Sequence, residues 1–298
     1  MANPQSAPSH PLLASSGNLR RRRAVNRAVE ISAWTAALLA VGVLALVIGS
    51  VTVKGISSIS LDFLTTNTVS FGPGGGIANA IVGTGVLVGL ATLMAVPFGI
   101  LVAIYTSEFA GKTSRSGIRY VLDVLNGVPT IVTGIFIFGL LVAGHQQSGF
   151  AGAVALAIVM LPLVARSCND VLTLVPESVK EAGLALGASR WRTTLSVTVP
   201  TALSGMITAA LLAVARAAGE TAPLLFTCSI FAPTLQTDPS QALPNIPVTI
   251  FQLSESPAPA AHAQAWAAAL VLILFVLVIS IVARILSART RRRLGAAR

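Results

Sequence analysis

Six stretches of roughly 20 almost unbroken apolar residues recur along this 298-residue chain, and each is long enough for a helix to cross about 30 Å of hydrocarbon at about 1.5 Å per residue. They are approximately Trp34–Val53, Ile77–Ile104, Val124–Ala143, Phe150–Val164, Leu203–Phe226 and Ala265–Ala283. The fourth is the shortest. The second has length to spare for tilting, and its internal Pro97 is tolerable where neighbouring helices satisfy the freed backbone groups. One soluble core could not hide so much apolar surface: 54% of the residues are hydrophobic and 10% charged, against roughly 25% charged in ordinary soluble domains. The expected fold is an all-α membrane protein with six transmembrane helices. The first run exceeds the usual apolar region of a secretory signal and is expected to be one span among six.

A net charge of +10 could suggest nucleic acid, but the basic residues lie between the apolar runs and lack the interleaved aromatics that stack bases. Of the 20 Lys and Arg, all except Lys54 and Arg216 fall on segments that share one side if the spans alternate. By the positive-inside rule that side is cytoplasmic, so both termini are expected there. The implied division is a basic cytoplasmic segment over 1–33, a six-helix transmembrane domain over 34–283 and a basic cytoplasmic tail over 284–298. The outward segments, 55–76 with Gly72-Pro73-Gly74-Gly75-Gly76 and the proline-rich 228–262, carry little charge and suit docking of an external partner.

Cys168 and Cys228, with His10, His145 and His262, are too few for a disulfide framework or a Cys/His metal site. Gly111-Lys112-Thr113 imitates the end of a phosphate loop, but Thr106 stands where the loop needs glycine and no strand precedes it. Gly83, Gly85 and Gly89 read as positions of close helix packing. No nucleophile and base pair, cofactor motif or metal set is evident, so neither enzymatic chemistry nor a bound cofactor is expected.

The cytoplasmic loop at about 165–200 is the polar exception, and it reads as two short helices. Pro176 suits a first helical position, Gly187 a left-handed stop and Ser189 the cap of the second helix. Glu181-Ala182-Gly183, then Gly187, then Val197 and Val199-Pro200, resemble in spacing the EAA loop of ABC-importer permeases. Gly183 departs from the second alanine and is expected to loosen its helix by about 1 kcal/mol. The resemblance implies a knob formed by Glu181, Ala182, Gly183, Gly187 and Pro200 that seats in a separate ATPase subunit. Read from the residues alone, an amphipathic helix lying on the membrane surface is the alternative.

Arg216 and Glu220 are four residues apart on what reads as one face of the fifth span. Ionisable groups at such depth are expensive and usually face a cavity, but one turn apart they could also neutralise each other and lock packing. A guanidinium with parallel donors suits a tetrahedral oxyanion, and a neighbouring carboxylate can accept from a protonated oxygen. The run Arg216-Ala217-Ala218-Gly219-Glu220-Thr221-Ala222-Pro223-Leu224-Leu225-Phe226-Thr227 resembles the signature of the PstA family, permease subunits of phosphate-specific ABC importers. Gly76–Thr84, Asn126–Val132 and Leu186–Arg192 are similar to the same family. That resemblance covers roughly Ile77 to Arg284 and implies a type I importer permease core in a prokaryotic cell membrane. It places Arg216, Glu220, Asn126 and Thr221 on a phosphate pathway. It also implies PstB-type ATPase subunits, a PstC-type second permease and a PstS-type phosphate-binding protein as partners. A channel or secondary transporter for an anion, lacking an ATPase, is the alternative, and the EAA spacing argues against it.

Overall fold

The computed structural model describes residues 18–68, 75–228 and 234–295. Residues 1–17, Gly72, Pro73 and Gly74, Pro233 and Arg298 lie outside the described residues, as do the side chains of Arg20, Arg289, Arg291, Arg292 and Arg293. Among the described residues the regular structure is helical throughout. Along the chain run α1 (Asn18–Ile56), α2 (Leu61–Thr65), α3 (Ala78–Ile104), α4 (Lys112–Gly127), α5 (Thr130–Ile137) and α6 (Gly149–Thr173). They are followed by α7 (Glu177–Ala185), α8 (Arg190–Thr193), α9 (Val199–Ala217), α10 (Ala222–Thr227), α11 (Ile246–Glu255) and α12 (Pro259–Gly295). Five helices among the described residues are long and apolar enough to cross a membrane, and the bent pair α4 and α5 brings the number to six if it is one broken span.

Two of the six spans are not the straight helices that their apolar runs suggest. The third starts earlier than its apolar run, at Lys112, and turns by 91° between α4 and α5. Val128 and Pro129, both with extended ψ, fill that corner, and proline disfavours a helical residue before it. The fifth ends as α9 at Ala217 and resumes as α10, with Pro223 in the first turn of the new helix. Arg216 therefore closes one helix while Glu220 lies beyond its end. They do not share a continuous helical face, contrary to the sequence expectation. The fourth span exceeds its apolar run and carries helix on to Thr173.

By internal contacts the chain divides after Ser50. In the first unit the apolar side chains of α1, among them Trp34, Leu38 and Leu46, are exposed, as in a helix clothed by lipid or a partner. The second unit is built on α3 lying along α6, with α9 against both and α12 against α9. Close approach there is made by a stripe at every fourth residue of α3: Leu87, Ala91, Ala95, Gly99 and Ala103. It meets Ala153, Leu156, Ala157, Met160 and Val164 of α6, all buried in the same core. Small residues let membrane helices gain dispersion contacts that lipid cannot better. Of the three expected packing glycines only Gly83 has this role, against the Pro244 carbonyl; a Cβ on Gly85 or Gly89 would meet open space.

Part of the segment before α12 is built into the core, while most of 234–241 stays exposed. Leu243, Ile246 and Val248 are fully buried, and Asn245 caps α11 by accepting from the Val248 N–H. The buried Thr84 hydroxyl accepts from the Ile246 N–H at 2.9 Å, joining α11 to α3. Earlier in the same segment Asp238 is exposed, and its carboxyl is held below the usual range by the N–H and O–H of Ser240.

Replacing Gly99 tests the stripe, because a Cβ there would lie 2.8 Å from Val164 Cγ1. Gly99→Leu is expected to destabilise the purified protein by about 1–3 kcal/mol through overpacking. Val164→Ala should restore part of the thermal stability measured in detergent. An unchanged melting temperature in the single variant would refute close packing at this point.

Candidate functional site

Backbone breaks are costly in hydrocarbon unless protein or a water-filled cavity surrounds them. The two breaks described above lie together. α10 packs on α5 where Gly134 admits Pro223, since a Cβ on Gly134 would come within 2.7 Å of the Pro223 Cα. Beside this contact is a cavity of about 60 Å³ lined by Leu125, Asn126, Val128, Thr130, Thr133, Ile158, Val159, Leu163 and Arg216. The structure thus brings Arg216 and Asn126 to one cavity. It adds Thr130 and Thr133, whose hydroxyls lie three residues apart on the otherwise apolar α5. That i,i+3 threonine pair was a signal available in the sequence.

Arg216 Nε lies 3.6 Å from Glu220 Oε1, with the arginine side chain 64% exposed and the glutamate 16%. At that separation the pair is an ion pair and not a hydrogen bond. Among the described residues no hydrogen bond ties down the terminal amino groups of the guanidinium, which remain available as two donors. Thr221 begins α10 by offering its carbonyl to the Leu224 and Leu225 N–H groups. Its side chain makes no capping bond, and it is not grouped with the cavity lining.

The second candidate region is the polar loop. α7 and α8 form two short helices joined at Gly187, whose φ of +80° is a left-handed stop. The Gly187 N–H donates to the Leu184 carbonyl and the Ala188 N–H to the Gly183 carbonyl, closing the turn. Ser189 Oγ accepts from the Arg192 N–H, as its capping role requires, while Pro176 stands one place before the helix that it was expected to open. Gly183 has a packing reason, since a Cβ there would approach Thr193 Cγ2 to 2.8 Å. Glu181 and Ala182 are exposed, and so are Leu184 and, at 89%, Leu186. Pro200 follows a π-helical turn, Thr194–Thr198, and Thr201 Oγ1 donates to the Val197 carbonyl, so the ring is accommodated in a helix that runs on from α8.

Sequence reasoning missed Glu108. It sits in a second π-helical turn, Tyr105–Phe109, at the end of α3, and is 7% exposed. Its Oε1 accepts from Lys180 Nζ at 2.9 Å and from Ser107 Oγ at 3.0 Å. A lone acid just past a long apolar run was its only trace in the sequence. Nearby, Arg119, Asp123, Arg166, Asn169 and Asp170 line a cavity of about 150 Å³ between α4 and α6. Arg166 pairs there with Asp123, and Arg119 reaches the Asn169 amide oxygen.

A family model described as the binding-protein-dependent transport system inner membrane component matches residues 95–292. The phosphate transport system permease protein PstA of Yersinia pestis is 39% identical over 271 residues, covering 90% of this chain and 92% of that protein. The chain belongs to the PstA family of binding-protein-dependent transport permeases. The PstA of Haemophilus influenzae is 40% identical over 207 residues, 68% of this chain and 73% of that one. Among solved structures, a bacterial ABC transporter involved in alginate import superimposes with a TM-score of 0.61 at 16% identity, over 91% of this chain and 99% of its own. The MetNI methionine transporter in an inward-facing state gives 0.56 at 16% identity, over 72% and 93%. These structures share the fold, which is that of the type I ABC-importer permeases, as the family resemblance implied. As a family member the chain is a multi-pass transport subunit of a bacterial membrane and not an enzyme.

The turn at Gly187 can be tested directly. Gly187→Val forces a side chain into a left-handed conformation at about 1–2 kcal/mol, whereas Asn tolerates that region better. Limited proteolysis of the purified protein should cut between α7 and α8 several-fold faster in Gly187→Val, with Gly187→Asn intermediate. Equal rates would contradict the left-handed stop.

Proposed function

We propose that this chain is one of two membrane subunits of an ATP-driven importer for inorganic phosphate, and that the cavity at the two helix breaks belongs to its translocation path. The observation that carries the reading is the convergence of Arg216, Asn126, Thr130 and Thr133 on one cavity at the depth of the broken spans. Half-buried Glu220 beside Arg216 supplies an acceptor for a protonated phosphate oxygen, while the free donors of the guanidinium face the anion's unprotonated oxygens. Thr221 belongs to the same region by its place at the α9–α10 break. Asn126 and the threonines provide neutral polar contacts that can exchange rapidly, which a path requires and a tight binding site does not.

Arg216 is largely exposed in the single chain, which supports a site completed by a second, PstC-type permease. The knob of α7 and α8, bearing Glu181, Ala182, Gly183 and Gly187 and continuing through Pro200 into α9, would seat in one of two PstB-type ATPase subunits. A PstS-type binding protein would deliver phosphate at the opposite end. The PstA names of the curated relatives support this set of partners, and the protruding apolar Leu184 and Leu186 support a docked knob over a passive surface helix. A channel or secondary transporter would have no use for such a protrusion. The basic segments 1–33 and 284–298 would flank the 34–283 permease domain on the cytoplasmic side.

Two measurements test the proposal. Tags at both termini should be accessible only from the cytoplasm and a Cys at exposed position 240 only from outside; labelling of a terminus from outside would overturn the orientation. The double variant Arg216→Gln with Glu220→Gln removes both charges and avoids leaving one unpaired. It should assemble with its partners yet lose phosphate uptake in proteoliposomes by at least about 10-fold, the scale of one lost charge-assisted contact. Near-normal uptake by a well-assembled double variant would assign the pair to packing alone.

A further inference from the structure

The π-helical turn Tyr105–Phe109 is where four elements of the chain are tied together. α3 runs into it from the membrane. Arg115 of α4 spans its carbonyls, donating to Thr106 O at 3.0 Å, Ser107 O at 3.1 Å and Ala110 O at 3.4 Å. From α7, Lys180 reaches the buried Glu108. From α8, Trp191 packs on the Phe109 ring with centroids 5.6 Å apart, and the Arg190 guanidinium lies over the same ring at 5.7 Å. Single-turn π segments inside α-helices occur frequently at functional sites.

Within this knot Glu108 and Lys180 are distinctive because both are largely buried, with side chains 8% and 14% exposed. Buried ion pairs add little net stability compared with apolar residues of similar volume, but removing one partner is expensive because the other is left as an uncompensated buried charge. A second acid, Glu177, stands 3.6 Å from Lys180 and is 75% exposed, so the ammonium is held chiefly by the buried carboxylate. The stripe on α3 that packs against α6 ends at Ala103, two residues before the turn. A displacement of the knob that is carried through Glu108 therefore enters the α3–α6 packing directly.

We propose that Glu108 is a positioning residue for energy coupling: through Lys180 it binds the knob of α7 and α8 rigidly to the end of α3. Movement of the knob is then delivered to the α3–α6 pair as well as along α9. This inference rests on the importer reading, and it needs a readout that does not depend on the identity of the transported anion. Neither residue touches the Arg216 cavity, so the role is one of transmission.

The test uses the complete transporter reconstituted in proteoliposomes, with ATP hydrolysis and inorganic phosphate uptake measured on the same sample. Glu108→Gln is expected to retain its ATPase subunits and to hydrolyse ATP within about 2-fold of the parent, while phosphate moved per ATP falls by about 10-fold or more. Lys180→Gln should match it, and the exchange Glu108→Lys with Lys180→Glu should regain most of the loss. Spin labels on Cys introduced at the exposed positions 178 and 101 give the second readout, the native Cys168 and Cys228 being buried. Their separation should stay constant between nucleotide-free and ATP-trapped states in the parent and change in Glu108→Gln. Uptake per ATP equal to the parent, loss of the ATPase subunits from the single variants, no recovery in the exchange, or labels that already move apart in the parent would each overturn the proposal. Absence of phosphate transport in the parent itself, with the labels behaving as expected, would instead count against the importer reading.

Discussion

An amide group left unpaired in hydrocarbon costs several kcal/mol, so the helix ladder is the default for every membrane segment and each departure from it has to be sheltered. In this chain the two large departures shelter each other. The corner at Val128 and Pro129 and the gap from Ala218 to Thr221 are brought side by side because α10 lies on α5 at Gly134 and Pro223. Turn hydrogen bonds already satisfy the Val128, Ala218, Gly219 and Glu220 N–H groups, and the contact keeps the rest of both breaks against protein. Beside it, Val128 of the first break borders a cavity that also receives the Arg216 guanidinium and the Asn126 amide.

What holds the two breaks in place is the ordinary packing around them. The small-residue stripe of α3 and its partners on α6 form the most extensive helix pairing among the described residues, and α9 is fitted to α6 where Gly205 meets the Val171 side chain. Van der Waals contact at this density is lost when neighbours separate by a fraction of an ångström. The bundle is the frame on which both breaks are mounted.

The five single-helix spans were legible because lipid imposes a length and a polarity on each, and length and polarity can be read along a string. The bend in the third was not legible, because Asn126-Gly127-Val128-Pro129 permits either a kink or a corner, and only packing against α10 selects the corner. For the knob, Gly187 and Ser189 could be read because local turn chemistry leaves few substitutes for a left-handed glycine or a capping hydroxyl. Gly85 and Gly89 misled because a glycine allows close approach without requiring it. In the site, the chemical oddity of Arg216 and Glu220 in an apolar run was plain, whereas their placement across a helix end was not. Glu108 escaped notice because its partner, Lys180, is 72 residues away in sequence.

The helix that leaves the knob at Arg190 continues without a sharp bend to Ala217, 28 residues that carry Arg216 at their far end. Treated as a rod rising about 1.5 Å per residue, it is ~40 Å long. Pivoting such a rod by about 5° at its base sweeps its tip sideways by ~4 Å, more than the length of a hydrogen bond. The guanidinium is thus mounted at the end of a lever arm, where an angular change too small to disturb the helix ladder is enough to make or break its grip on an anion.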